Sequence, residues 1–151
     1  IFDDDGAGEV ADVIAIKEDD TNKKLLVEFY HCKFSGGAQA GSRVDDLYVV
    51  CGQAEKCIKW ISDAKMLVER LKMRENDRIG KSRPSRFEVG DNKDLFTIKN
   101  KLKLYSVEYS VFIVQPGVDS NAITSPMHQV LCSAEAYLMD TYAIPLLLIC
   151  S

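Results

Sequence analysis

The sequence predicts an α/β fold, a central mixed β-sheet flanked by helices, and three observations carry that prediction. Two apolar runs, residues 9–16 and 25–34, flank a short polar turn and read as an antiparallel hairpin. A long stretch of helical periodicity follows. A strand, a helix and a wholly apolar strand then close the chain, the alternation expected of an α/β domain. At 151 residues the chain fits a single domain, residues 1–151, with room for a sizeable core.

Each element rests on its own residues. Asp3-Asp4-Asp5-Gly6-Ala7-Gly8 is an acidic, turn-rich entry. Val10, Val13, Ile14 and Ile16 give the first strand its apolar content, and Asp20-Thr21-Asn22 is turn-like. The second strand, residues 25–34, is rich in Leu, Val, Phe and Tyr. Residues 35–42 hold three glycines and read as a flexible loop. One long helix is expected next, because Leu47, Val50, Cys51, Ala54, Ile58, Ile61, Leu67, Val68 and Leu71 fall on one face. Asp45 and Asp46 suit its positive end, and Arg70, Lys72 and Arg74 its negative end.

Residues 76–84 break the pattern, and residues 91–104 contain a shorter helix. Residues 107–114 form a strand stopped by Pro116-Gly117. Pro126 opens a helix running to about Tyr142, with Val130, Leu131, Ala134, Leu138 and Met139 as core candidates. Residues 144–150 are expected to be a strand buried on both faces. Trp60 and Tyr48 are expected to pack, and His128 to lie on the surface.

No apolar run approaches the roughly 20 residues needed to cross a bilayer. Five cysteines, an odd count without a C-x-x-C pair, argue against a disulfide framework or a zinc site. They read as reduced, mostly buried side chains of a cytoplasmic protein. The chain starts at Ile1 and reads as a fragment of something longer.

The net charge of −4 conceals an uneven distribution. Residues 56–103 hold 14 Lys and Arg against 7 Asp and Glu, a local +7, and the rest of the chain carries −11. A basic middle beside an acidic start suits a phosphate-binding face next to a metal site, and equally a solvated helix face.

Phosphodiester hydrolysis needs a divalent cation, a water made more acidic by it, and a positive group near the developing charge. Two neighbouring strands can present all three. Asp12 lies in the otherwise apolar Val10-Ala11-Asp12-Val13-Ile14, and His31 and Lys33 share a strand face, with Cys32 turned away. Glu28 has the wrong parity to join them, and Glu9 reads as an exposed glutamate at a strand start. Taken singly, Asp12 and Lys33 also read as solvated strand residues.

The run from Asp5 to Ile14, followed by His31-Cys32-Lys33, resembles the core of Mrr-type restriction endonucleases of the PD-(D/E)XK superfamily. Those carry a Gly-rich turn, a metal-binding Asp on one strand and a Q-x-K or E-x-K triplet on the next. Asp45-Asp46-Leu47-Tyr48-Val49-Val50-Cys51-Gly52-Gln53-Ala54-Glu55-Lys56 is similar to a helix in nuclease-like domains at the C-terminus of bacterial DEAD/DEAH-box helicase-like proteins. Val114-Gln115-Pro116-Gly117 and the terminal Ile149-Cys150-Ser151 fit the same likeness.

The resemblance implies a restriction-endonuclease-like core that cleaves DNA with Mg²⁺ or Mn²⁺ and serves a helicase domain of the same parent chain. It makes Asp12 and His31 metal ligands and Lys33 the group that positions the attacking hydroxide. Gln53, with Lys56 one turn on, would reach the scissile phosphate or the lysine. Arg70, Lys72, Arg74, Arg78, Lys81, Arg83 and Arg86 would track the nucleic-acid backbone, or form an ordinary exposed helix end and loop.

Two departures stand out. His31 replaces the second acid or glutamine, which favours Mn²⁺ or a silent DNA-binding module. Only Ile1 and Phe2 stand where the superfamily has a helix and a strand. A scaffold role for the long helix is a third alternative, and homo-oligomerisation is left open.

Overall fold

The computed structural model describes residues 1–3, 8–34 and 41–150. Most of the expected acidic turn, residues 4–7, and most of the expected glycine-rich loop, residues 35–40, lie outside the described residues. Four strands make one mixed sheet: β1 (Val13–Asp19), β2 (Lys24–Cys32), β3 (Ser106–Gln115) and β4 (Leu146–Cys150). They lie in chain order, β1 antiparallel to β2, and β2, β3 and β4 mutually parallel. Four helices flank the sheet: α1 (Val44–Lys56), α2 (Ala64–Gly80), α3 (Asn92–Lys101) and α4 (Ser125–Tyr142).

The hairpin follows from its turn. The Asp19 carboxylate accepts from the Asn22 backbone N–H at 3.0 Å and from its side chain at 2.7 Å. That chemistry, rather than apolar content, sets where β1 ends and β2 begins. The β1 ladder therefore runs on through the polar Lys17–Asp19 end, and it starts at Val13, so it lies later at both ends than residues 9–16. Ile1–Asp3 extends along the free edge of β1. Ile14 donates to the Ile1 carbonyl at 2.8 Å, Asp3 donates to the Asp12 carbonyl at 3.0 Å, and Phe2 bridges Val13.

The single long helix expected after β2 is divided. α1 ends at Lys56, a 3₁₀ turn covers Cys57–Trp60, and α2 starts after Asp63. Asp63 is the cause, since its carboxylate accepts the Met66 N–H at 2.9 Å and caps a new helix. Apolar spacing continued through the break because both segments line the same core. α2 also runs on to Gly80, through residues expected to break the pattern, and stops where Ser82 takes φ 56.

Register puts Ile14, Leu25, Phe29, His31, Val111, Ile113 and Gln115 on one face, where each is buried. α1 lies on β2 and β3, and α4 packs against α1 and β4. The opposite face holds the stacked rings of Tyr30 and Phe112, 4.6 Å apart, and no fully buried side chain among the described residues. β4 is consequently not buried on both faces. It is an edge strand, with Leu147 and Ile149 turned outward and exposed.

Leu47, Val50, Ala54, Leu67, Leu71, Ala134 and Leu138 are buried as the periodicity requires, and Trp60 packs. Tyr48 and Met139 are exposed instead; each follows a core leucine by one residue, a rotation of about 100° to the solvent side. The five cysteines are free, but only Cys51 and Cys57 are buried. His128 is exposed, as expected. Among the described residues no helix is long and apolar enough to cross a membrane.

Candidate functional site

The carboxyl end of β2 collects the residues singled out in the sequence. Val13 pairs with Tyr30, so Asp12 lies one step beyond, beside His31 and Cys32. One Asp12 carboxylate oxygen accepts the Cys32 backbone N–H at 2.7 Å, which fixes the acid against the second strand. Lys33 continues the ladder, its N–H donating to the Val114 carbonyl at 3.0 Å. Its parity matches His31, and the residue is half-buried.

His31 is 2% exposed, and neither ring nitrogen has a hydrogen-bond partner. Burial drives its pKa down to about 4, against a smaller upward pull from the Asp12 charge. The imidazole is therefore neutral at pH 7, the form that can ligate a metal. The same two influences, burial first and Asp12 second, both raise the Cys32 thiol, which leaves it a poor nucleophile at neutral pH.

A cavity of about 390 Å³ opens beside His31, lined by Gly8, Glu9, Val10, Gln53, Lys56 and Lys59 as well as the histidine. α1 places Gln53 and Lys56 there on one helical face, three residues apart. The Gln53 Oε1 is buried without a hydrogen-bond partner. Orphaned buried polar atoms on both His31 and Gln53 mark a place where a ligand, ion or water belongs. Asp12 and Lys33 are not part of this cavity's lining; they sit next to His31 along and across the strands. Glu9 is half-buried in the lining rather than exposed at a strand start.

Two residues were not legible as site residues. Lys59 stands over the Trp60 ring at 4.6 Å and adds a second ammonium to the cavity. Gln115 is fully buried at the end of β3, with neither amide atom partnered. It lies one step beyond the Cys32–Val114 pair, level with Lys33. The signal available for Gln115 was a polar residue closing an apolar strand just before Pro116-Gly117.

The basic residues singled out in the sequence are not one surface. Lys56 belongs to the His31 cavity. Arg70, Arg74, Lys81, Arg83 and Arg86 line another cavity of about 460 Å³, together with Met73 and Asp77. Arg74 and Arg86 are not exposed followers of a backbone; both pair with the buried Asp3, and their side chains are only 10% and 7% exposed. A buried carboxylate demands such counter-charges. Arg78 does not line that cavity, and its Nε donates to the Pro84 carbonyl at 2.6 Å. Lys72 is half-buried on α2.

Asp12 and His31 supply an anionic oxygen and an unpartnered neutral nitrogen, a donor pair that fits a divalent cation retaining water ligands. Among the described residues, no three His, Cys, Asp or Glu side chains form a metal-holding group. No protein-family model, curated protein or solved structure matches the chain.

Proposed function

We propose that this chain is a metal-dependent nuclease domain that hydrolyses phosphodiester bonds in DNA. The observation that carries the reading is the buried, neutral, unpartnered His31 beside the Asp12 carboxylate, opening on a cavity with Gln53, Lys56 and Lys59. The likeness of its motifs to restriction-endonuclease cores, and of residues 45–56 to a helix of helicase-associated domains, supports the same reading. In it the domain works in the cytoplasm, beside a helicase domain of its parent chain.

Asp12 and His31 would hold Mg²⁺ or Mn²⁺, which when bound supplies Lewis-acid polarisation and a more acidic water. Burial keeps His31 deprotonated and ready to ligate. The Cys32 N–H holds the Asp12 carboxylate against the second strand, which limits the reorganisation that binding a cation would require. Lys33 carries a positive charge on the same strand face, placed to stabilise an anionic nucleophile. Gln53, Lys56 and Lys59 offer an amide and two ammonium groups to a phosphate entering the cavity.

The test is cleavage of plasmid DNA with Mg²⁺ or Mn²⁺ by the full chain. Asp12→Ala and Lys33→Ala should each lower the rate by about 10²-fold or more, with folding checked by circular dichroism. Equal cutting by wild type and both variants would remove the assigned site.

A second reading, a catalytically silent DNA-binding module, draws on His31 in place of an acid and on the engagement of one Asp12 oxygen by Cys32. Salt-sensitive DNA binding without cleavage in either metal would select it.

A further inference from the structure

We propose that the sheet face opposite α1 and α4 is an interface between two copies of this chain. The inference is independent of the nuclease reading and stands on register, exposure and charge.

α1 and α4 pack on the face that buries Ile14, Phe29, Val111 and Ile113. Alternation turns the other strand residues to the opposite side. There the register sets Phe2, Val13, Tyr30, Phe112 and Leu147 in one row, an apolar residue on each extended segment from edge to edge. Cys32, Val114 and Ile149 form the next row. Phe2, Leu147 and Ile149 are 42%, 42% and 45% exposed, and Val13, Tyr30, Phe112 and Val114 are half-buried. An apolar sheet face is stabilised by packing on a second layer, and monomers rarely leave so wide a patch in water.

Charge favours a second copy over nucleic acid as that layer. Within the strands this face carries Lys17 and Lys24 against Asp19, Glu28 and Glu108, a net −1. Lys17 pairs with Glu28 at 2.9 Å and Lys24 with Glu108 at 2.5 Å, and the Tyr30 hydroxyl donates to Glu28 at 2.9 Å. These groups lie towards the amino ends of β2 and β3, away from Leu147 and Ile149, and they satisfy one another. A phosphate backbone finds no cationic excess there. Two identical, nearly neutral faces do not repel.

Size agrees. Strands at about 4.8 Å and residue rows at about 6.8 Å give four strands and four rows a flat footprint on the order of 500 Å². Side-chain relief enlarges it towards the roughly 800 Å² per partner of a standard interface. Stacked sheets lie about 10 Å apart, and a twofold axis along the strands sets Tyr30 and Phe112 of one copy over Phe112 and Tyr30 of the other. Those rings already stack on each other at 4.6 Å, so they meet the second copy as an ordered flat surface. His31 lies on the opposite face, so both candidate sites stay open in the dimer.

The experiment is light scattering behind size exclusion on the full chain over a range of concentrations. The mass should move from monomer to dimer with a Kd on the order of 10 µM. Leu147→Asp with Ile149→Asp, at exposed edge positions, should weaken the dimer at least about 30-fold with an unchanged circular-dichroism spectrum. Val89→Asp, at an 85% exposed position beside Ile14 and Ile16 of the helix-bearing face, should leave it intact. Wild type gives a readout that needs no variant. Cys32, exposed on the proposed interface, should be alkylated by iodoacetamide several-fold more slowly above the Kd than below it, while Cys132, exposed on α4, keeps its rate.

A chain that stays monomeric at every concentration overturns the proposal and assigns the face to another occupant. A dimer that survives the paired aspartates, or weakens equally in Val89→Asp, overturns it as well. So does Cys32 labelling that ignores concentration or slows only in step with Cys132.

Discussion

His31 is the side chain whose environment departs furthest from its ordinary chemistry in the candidate site. Burial pushes its pKa down from 6.5 to about 4, so the unfolded chain binds a proton in this range and the native chain does not. The sign follows: its contribution to stability is fully present above about pH 6.5 and is lost as pH falls towards 4. On that shift the loss is on the order of 2–3 kcal/mol. Chemical denaturation at pH 7 and pH 4.5 should show wild type losing more stability than His31→Leu by about that amount. Parallel losses would mean that the imidazole is not held neutral. Asp12 moderates the effect, so Asp12→Asn should steepen the acid loss, because removing its charge takes away the influence that raises the His31 pKa.

Individual elements are closed by short-range chemistry that can be tested one cap at a time. Asp91 and Asp94 form a capping box on α3: Asp91 accepts the Lys93 N–H at 2.6 Å, and Asp94 accepts the Asp91 N–H at 2.8 Å. Asp91→Ala should cost about 1 kcal/mol, read from urea midpoints at constant m-value. α4 ends differently. Ala143 sits at φ 55, its N–H reaching back to the Met139 carbonyl at 2.9 Å, and Ile144 reaches the Leu138 carbonyl at 3.3 Å. Glycine is the residue this left-handed position prefers. Ala143→Gly should therefore stabilise the fold, or at worst leave it unchanged, with a gain of about 0.5–1 kcal/mol. A loss of that size would show that the methyl group packs more than the backbone strains.

At the scale of the molecule, the N-terminal segment is tied to the far end of α2 and the loop after it. Asp3 accepts the Val10 N–H at 2.8 Å and pairs with Arg74 and Arg86, while Glu75 accepts the Arg86 N–H at 3.0 Å and the Ser85 hydroxyl at 2.6 Å. Removing one charge from such a buried cluster leaves its other members less well compensated. Asp3→Asn should cost about 3–5 kcal/mol in equilibrium unfolding. A cost below about 1 kcal/mol would mean the two arginines are compensated without Asp3.

The sequence by itself determined the order of strands and helices, the hairpin turn, the proline-opened α4 and most of the core of α1 and α2, because period, caps and turn chemistry are local. It also determined that Asp12 and His31 stand at neighbouring positions, since a hairpin register follows from its turn. Only the tertiary structure decided the rest. β4 became an edge because nothing among the described residues pairs beyond it, whereas the Asp63 cap that divides the long helix is local and was outweighed in the sequence by unbroken apolar spacing. Gln53 and Lys59 come to line one cavity with His31, Gln115 comes level with Lys33, and Asp3 pairs with Arg74 and Arg86 only once distant segments pack. Desolvation of a histidine or an aspartate depends on what closes over it, and that is set by contacts far apart in the chain.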